Sequence, residues 1–203
     1  MKLYGMLDSP YVRRVALSLD LYGITFEHFP LSVFSTFDAF AQVNPVVKAP
    51  TLVLDDGTVL MDSALILDYF ETLSAPAGKR RPQDARALGQ ALRTEGLALA
   101  ACEKSIQLVY EHNLRPEEKR HQPWVARVTG QLLAACAALE QQIAALPPAD
   151  DQVPGQAEVT SAVAWSFMLL MVPDVIKPAD FPALHAHAAR LEATALFKRY
   201  PMV

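Results

Sequence analysis

The chain has 203 residues, 52% of them hydrophobic and 20% charged, with a formal net charge of −4. That length suits one large domain or two small ones, with ample apolar material for a core. The acidic balance, with no basic block beyond Lys79-Arg80-Arg81, argues against nucleic-acid binding, and no apolar run reaches the roughly 18 residues that cross a bilayer. The opening MKLYGMLDSPYVRR lacks the apolar centre of a signal peptide and reads directly into structure. Cys102 and Cys136 fall inside helical patterns, far apart and without a CxxC pair. Two buried thiols in a reducing, cytoplasmic compartment are expected, not a disulfide scaffold.

In chain order, residues 2–5 form a short first strand. From Pro10 to Tyr22 the apolar positions Val12, Val15, Ala16 and Leu19 keep helical spacing, and Gly23 closes the helix. Residues 25–29 alternate as a second strand, parallel to the first through a right-handed crossover. The Phe-rich stretch 31–43 reads as a poorly regular helix. Antiparallel strands follow at 51–54 and 58–61, then a helix whose face is marked by Ile66, Tyr69, Phe70 and Leu73. The order βαβαββα is a thioredoxin-like α/β layout over residues 1–75. A Pro/Gly/basic linker spans 76–82, and the strand signals vanish beyond it. Leu88, Leu92, Leu99, Cys102, Ile106 and Val109 mark one long helix, and 124–146 a second, with Pro116 in its first turn. Pro147 and Pro148 end that helix, and a polar loop runs to Glu158. An apolar helix at 160–171 and a last one at about 182–197 complete an all-α second domain, 83–203.

The segment NPVVKAPTLVLDDGTVLMDS, residues 44–63, is suited to holding a small peptide that carries carboxylates. Asn44-Pro45 starts a turn, and the loop runs through Lys48 into Ala49-Pro50. A cis bond there would face the Ala49 N–H and C=O outward, where a peptide can pair with them as an added strand. Asp55-Asp56-Gly57 turns the hairpin, and Asp62-Ser63 opens a helix whose free N–H groups and dipole favour an anion.

With SPYVRRVAL at 9–17, NPVVKAPTL at 44–52, MDSALILDYF at 61–70 and FPALHAHAARL at 181–191, the chain resembles a cytosolic glutathione transferase of the serine type over nearly its whole length. The resemblance implies a thioredoxin-like glutathione-binding domain, an all-helical domain that contributes an acceptor pocket, and a homodimer. It places Ser9 against the glutathione sulfur and Lys48 near the glycine carboxylate. Ala49 and Pro50 pair with the cysteinyl backbone, and Asp62 and Ser63 hold the γ-glutamyl amine and carboxylate. Tyr11, Arg13 and Tyr110 are candidates for the acceptor pocket. Two departures stand out. Where the family commonly has a Ser/Thr-x-x-Asp capping box, Thr160-Ser161-Ala162-Val163 keeps the hydroxyl but puts valine in place of the acid. That should weaken the cap by about 0.5–1 kcal/mol. The apolar 31–43 stretch also leaves only Gln42 and Asn44 as polar ligand groups near the loop.

Glutathione would enter as co-substrate, with a small hydrophobic electrophile as acceptor and no metal. A free thiol with a pKa near 8.5 is only a few per cent thiolate at neutral pH, and lowering it by about two units takes roughly 2.7 kcal/mol. A hydroxyl donor at a helix N-terminus can supply that preference for the anion. Against this stand plainer readings: Ser9 and Asp62-Ser63 as ordinary helix caps, Lys48 as a solvated loop lysine, Tyr11 and Tyr110 as packing or rim residues. Arg14 reads as a surface residue, the histidines as solvated, and Trp124, Trp165, Met168 and Met171 as core. The expected function is that of a glutathione transferase; the alternatives are a non-catalytic glutathione-binding or protein-interaction module, against which the intact set of Ser9, Lys48, Pro50 and Asp62-Ser63 argues, and a glutathione-dependent isomerase or peroxidase.

Overall fold

The computed structural model describes residues 1–146 and 153–202. They divide into two compact units, Met1 to Arg81 together with the C-terminal segment from Ala193 onward, and Pro82 to Glu192. The expected assignment of 83–203 to one helical domain is thus corrected: the last residues return to the first unit.

The first unit carries β1 (Lys2–Tyr4), α1 (Pro10–Leu21), β2 (Glu27–Phe29), α2 (Phe37–Val43), β3 (Thr51–Val53), β4 (Val59–Met61) and α3 (Ser63–Leu73). The strands lie in the order β2-β1-β3-β4, with β1–β2 parallel and the other two pairings antiparallel, which is the thioredoxin-like layout expected. Ser9 caps α1, Pro10 fills its first turn, and Gly23, at φ +71°, follows its C-terminus. Leu3, Val12, Val15, Leu19, Leu52, Ile66, Leu67 and Phe70 make the core between sheet and helices. The buried face of α3 is therefore turned by one position from the expected one: Tyr69 and Leu73 are exposed, and Leu67 and Glu71 face inward. The hairpin turns as read, with Gly57 at φ +87° and Asp56 Oδ1 accepting from the Thr58 N–H at 2.9 Å. The 76–82 connection is tied down. Buried Glu71 accepts from the Arg80 and Arg81 backbone N–H groups at 3.0 and 3.1 Å and from the Tyr22 hydroxyl at 2.6 Å.

The last helix of the chain, α8, is described here with the first unit, to which it belongs; it spans Ala195–Arg199. The expected single helix at 182–197 is broken at Ala193-Thr194, where the Thr194 hydroxyl caps the new start by accepting from the Phe197 N–H at 3.3 Å. Phe197 is fully buried, and the Arg13 guanidinium lies 5.3 Å from its ring centre. Arg199 donates two hydrogen bonds of 3.0 Å to Asp20, and Tyr200 stacks on Phe26.

The second unit holds α4 (Ala85–Asn113), α5 (Gln122–Ala144), α6 (Gln156–Met171) and α7 (Pro182–Glu192). The α4 stripe that is buried runs through Ala98, Ala101, Cys102, Ser105 and Leu108, whereas Leu92 is exposed. α4 packs against both α5 and α6, and most of the residues it buries are small. Pro116 precedes a 3-10 turn (Glu117–Lys119) instead of opening α5, whose own first turn holds Pro123. Trp124 is 40% exposed, so it is not the core anchor expected, while Trp165 is buried and donates to His185 Nδ1 at 3.2 Å. Cys102 and Cys136 are buried free thiols as read, and burial pushes the Cys136 thiol up to about 12. The end assigned to α5 at Pro147-Pro148 and the first part of the polar loop lie outside the described residues.

α6 starts one turn earlier than read. Gly155 is its N-cap, and Glu158 reaches back to accept from the Gly155 N–H at 2.8 Å, so the acid missing from the Thr160 motif is supplied by a different residue. Glu140 of α5 serves α7 likewise, its two oxygens accepting from the Ala183 and Leu184 N–H groups at 2.8 and 2.7 Å. His187 is buried, not solvated, and donates from Nε2 to the Glu158 carbonyl at 3.1 Å. Burial holds its pKa below the ordinary value of 6.5, opposed by the Glu158 bond and carboxylate and reinforced by Arg190. The imidazole is neutral in the fold and regains its ordinary pKa on unfolding, so unfolding takes up a proton below about pH 6.5. His187 therefore contributes stability in full above that pH and loses it as the pH falls towards its folded value. Denaturant midpoints between pH 7.5 and 5.5 should drop more steeply for the wild type than for His187→Gln. Equal slopes would remove His187 from this role.

Candidate functional site

Strand register brings the sequence motifs together. Tyr4 pairs with Thr51, and Thr51 with Met61, so the chain leaves β1 and β4 and enters β3 at the same end of the sheet. From that end emerge the loop to Ser9, the loop carrying Lys48-Ala49-Pro50, and Asp62-Ser63. Gly5 permits the meeting. It sits at φ +135°, and a Cβ there would lie 3.2 Å from Ala49 Cβ and 2.5 Å from Val12 Cγ2.

Ser9 is half-buried at the start of α1, in extended conformation, and its Oγ accepts from the Val12 N–H at 3.4 Å. That cap is long, and it uses the oxygen only as acceptor, leaving the O–H to donate elsewhere. Beside it, burial raises the Asp8 carboxyl above the ordinary carboxylate range, opposed by backbone bonds from Ser9 and its own N–H.

The Ala49-Pro50 bond is cis. The loop before it is braced from within: Asn44 Nδ2 donates to Thr51 Oγ1 at 2.9 Å, Asn44 Oδ1 accepts from Val46 N–H at 3.0 Å, and Thr51 Oγ1 donates to the Lys48 carbonyl at 2.6 Å. Asn44, read as a polar ligand group, is instead buried and engaged in this brace. Thr51 was not singled out by the sequence; a hydroxyl opening a strand carried no distinctive signal. Lys48 is exposed, its ammonium free of any structural duty the described residues reveal. Val47 adopts φ +51°, which a β-branched residue rarely does. The left-handed region costs an L-residue about 1–2 kcal/mol, against about 0.5–1 kcal/mol of extra backbone entropy for glycine. Val47→Gly should accordingly raise stability by about 0.5–1 kcal/mol, read as a higher thermal midpoint. A lower midpoint would mean that Val47 packing outweighs the strain.

Asp62, at φ +71°, caps α3 by accepting from the Ala64 N–H at 2.9 Å. Ser63 is buried at the first position of that helix, and its Oγ accepts from Arg14 Nη1 at 3.4 Å. Arg14 is only 1% exposed, which corrects its reading as a surface residue. Arg13, expected at the acceptor pocket, is also buried: its Nε donates to the Tyr200 carbonyl at 2.8 Å beneath α8. Adjacent arginines on a helix point in different directions, and here both directions lead into protein. Tyr11 is half-buried on α1, and Tyr110 is exposed on α4 of the other unit. Among the described residues no His/Cys/Asp/Glu group has the arrangement of a metal site, and no helix is long and apolar enough to cross a membrane.

A mixed four-stranded sheet with α1 and α3 on it, followed by an α-helical unit, defines the fold class of the glutathione transferases. Residues 3–78 match the family described as glutathione S-transferase, N-terminal domain. The chain spans about two fifths or less of the length of the first curated relatives it matches, and over that stretch it is similar to glutathione S-transferases. It is 40% identical over 78 residues to the uncharacterized GST-like protein YibF of Escherichia coli K12, a match covering 38% of this chain and 39% of that protein. Over 205 residues it is 27% identical to maleylacetoacetate isomerase of Pseudomonas aeruginosa, covering 91% of this chain and 92% of that one. A glutathione S-transferase of Methylobacterium radiotolerans, solved with glutathione sulfonate, superposes with a TM-score of 0.87 at 25% identity, covering 98% of this chain and 93% of that one.

Proposed function

We propose that the protein is a serine-type glutathione transferase that adds the glutathione thiolate to small hydrophobic electrophiles. One observation carries the reading: strand register gathers Ser9, Ala49-Pro50 and Asp62-Ser63 at one end of the sheet, two of the three at helix N-termini. The Ser9 hydroxyl would donate to the glutathione sulfur and favour its thiolate, the released proton passing to solvent. Lys48 would meet the glycine carboxylate, the Ala49 backbone would pair with the cysteinyl residue, and Asp62 and Ser63 would take the γ-glutamyl amine and carboxylate. The sulfur then forms its bond to carbon while a leaving group departs, or while an activated double bond accepts a proton. The ligand brings its own nucleophile, so the buried cysteines are not needed. Holding the thiolate and acceptor together would supply the remaining rate. Tyr11 and Tyr110 stay as candidates for acceptor contact.

Calorimetric titration of glutathione into the wild type and into Asp62→Ala/Ser63→Ala tests the site. Micromolar-to-millimolar binding by the wild type alone, with turnover of a generic aryl halide, is the expected result. Binding without turnover would favour the interaction-module reading. The near full-length similarity to maleylacetoacetate isomerase favours one alternative, a glutathione-dependent cis–trans isomerase using the same thiolate. Turnover of a cis-enedione with no net consumption of glutathione would select it.

A cytoplasmic homodimer completes the proposal. Leu65 and Leu73, 67% and 64% exposed, flank Tyr69 on the outer face of α3, a stripe at i, i+4 and i+8 that a second copy could cover. Light scattering should give twice the chain mass for the wild type and the single mass for Leu65→Glu/Leu73→Glu.

A further inference from the structure

We propose that Arg14 is a positioning residue for glutathione, acting through Ser63 on the γ-glutamyl carboxylate; this rests on the site proposed above. The fold places the Arg14 guanidinium behind Ser63, not on the surface. Arg14 is 1% exposed, its Nη1 donates to Ser63 Oγ at 3.4 Å, and its own helical turn is fixed by the Ser18 hydroxyl donating to the Arg14 carbonyl at 2.6 Å. Ser63 is buried at the first position of α3, with Asp62 as N-cap.

A serine hydroxyl has one proton to give and two lone pairs to receive with. Left to itself at a helix start, it can turn that proton onto a nearby carbonyl or use its oxygen as a cap. A guanidinium has only donors, so the lone pair that faces Arg14 is occupied and the Ser63 proton must point elsewhere. The Ser63 rotor is thereby set as a donor towards the mouth of the helix, which is the polarity that a carboxylate needs and an ammonium does not. Asp62 supplies the opposite polarity one residue earlier. The pair thus presents one acceptor and one donor, matched to an α-amino acid head group, with Arg14 adding a positive charge behind the donor half. Arginine keeps that charge at every relevant pH.

The test separates this role from mere support of the fold. Glutathione is compared with an analogue in which 4-aminobutyrate replaces the γ-glutamyl residue, which keeps the amine and lacks the α-carboxylate. In Arg14→Gln, binding of glutathione should weaken about tenfold, a loss of about 1.4 kcal/mol, while binding of the analogue should stay within about twofold. Ser63→Ala, which removes only one oxygen and keeps Arg14, should erase the same discrimination. Arg14→Gln added to Ser63→Ala should then cost much less than tenfold, because the two act in series. Arg14→Lys should restore part of the loss.

Equal weakening of both ligands in Arg14→Gln, or discrimination that survives Ser63→Ala, overturns the role of Arg14 and leaves the glutathione site standing. Should Arg14→Gln fail to fold, the Ser63→Ala and Arg14→Lys comparisons decide by the same ratio. A wild type that binds neither ligand overturns the proposed function and this role together.

Discussion

Ser9→Ala is expected to lower turnover of a generic electrophile by about 5- to 50-fold at pH 6.5 and to leave the rate almost unchanged at high pH. The hydroxyl's hydrogen bond to a thiolate contributes about 1.5–3 kcal/mol, because one partner is charged. At about 1.4 kcal/mol per pKa unit, its loss returns the bound thiol one to two units towards its free value near 8.5. Above that value the thiol ionises without help, so the deficit closes as the pH rises. The fold should notice little. The Ser9–Val12 cap is 3.4 Å long, so its removal costs about 0.5 kcal/mol, at the low end for an N-cap. The pH profile of kcat/KM, with the ultraviolet absorbance of the bound thiolate as a direct titration, reads both effects. A profile that does not move would leave Ser9 as a cap and nothing more.

Phe197→Ala should cost about 3–5 kcal/mol, out of a total stability of about 5–15 kcal/mol for a typical protein. Phe197 is fully buried, although it lies near the end of the chain and far in sequence from its neighbours. It sits under the Arg13 guanidinium, whose Nε is in turn fixed by the Tyr200 carbonyl. Asp20 receives both Arg199 and the Tyr200 hydroxyl, and burial, then Asp20, pushes that hydroxyl up to about 12. Truncating Phe197 leaves a cavity beneath a buried cation that was held partly by its ring. Arg199→Ala makes the contrast: its pair with Asp20 is half-exposed and should contribute no more than about 1 kcal/mol. Hydrogen exchange of the α1 amides reports the loss where it occurs. Protection that survives Phe197→Ala would mean the segment merely rests on the first unit.

Legibility followed locality. The hairpin at Asp55-Asp56-Gly57 and the opening of α1 at Ser9-Pro10 were readable because a turn and a cap are decided by a few adjacent residues. The parallel pair β1–β2 and the antiparallel hairpin β3–β4 followed from connection lengths, whereas the β1–β3 pairing that gathers Ser9, Pro50 and Asp62 at one sheet end did not. What depended on partners distant in sequence was not readable. Arg13 and Arg14 look solvated in isolation, and only Tyr200, Phe197 and Ser63 explain their burial. Trp124 looks like a core anchor by type, yet packing in the helical unit used alanines and Cys102 instead. Thr160 has the look of the α6 cap, but Glu158, three residues past Gly155, carries the actual signal. Asn44 has the chemistry of a ligand group, but its loop needed it first.

Both tryptophans, Trp124 and Trp165, belong to the helical unit, and the thioredoxin-like unit carries tyrosine as its brightest chromophore. Intrinsic emission excited at the red edge of the indole band is therefore an optical label for one half of the molecule only. Its blue component arises from buried Trp165 against His185, and its red, easily quenched component from Trp124. An unfolding curve recorded in that channel is blind to the half that holds Ser9. Far-ultraviolet dichroism, which sees both halves, should separate from it whenever a substitution loosens the sheet alone.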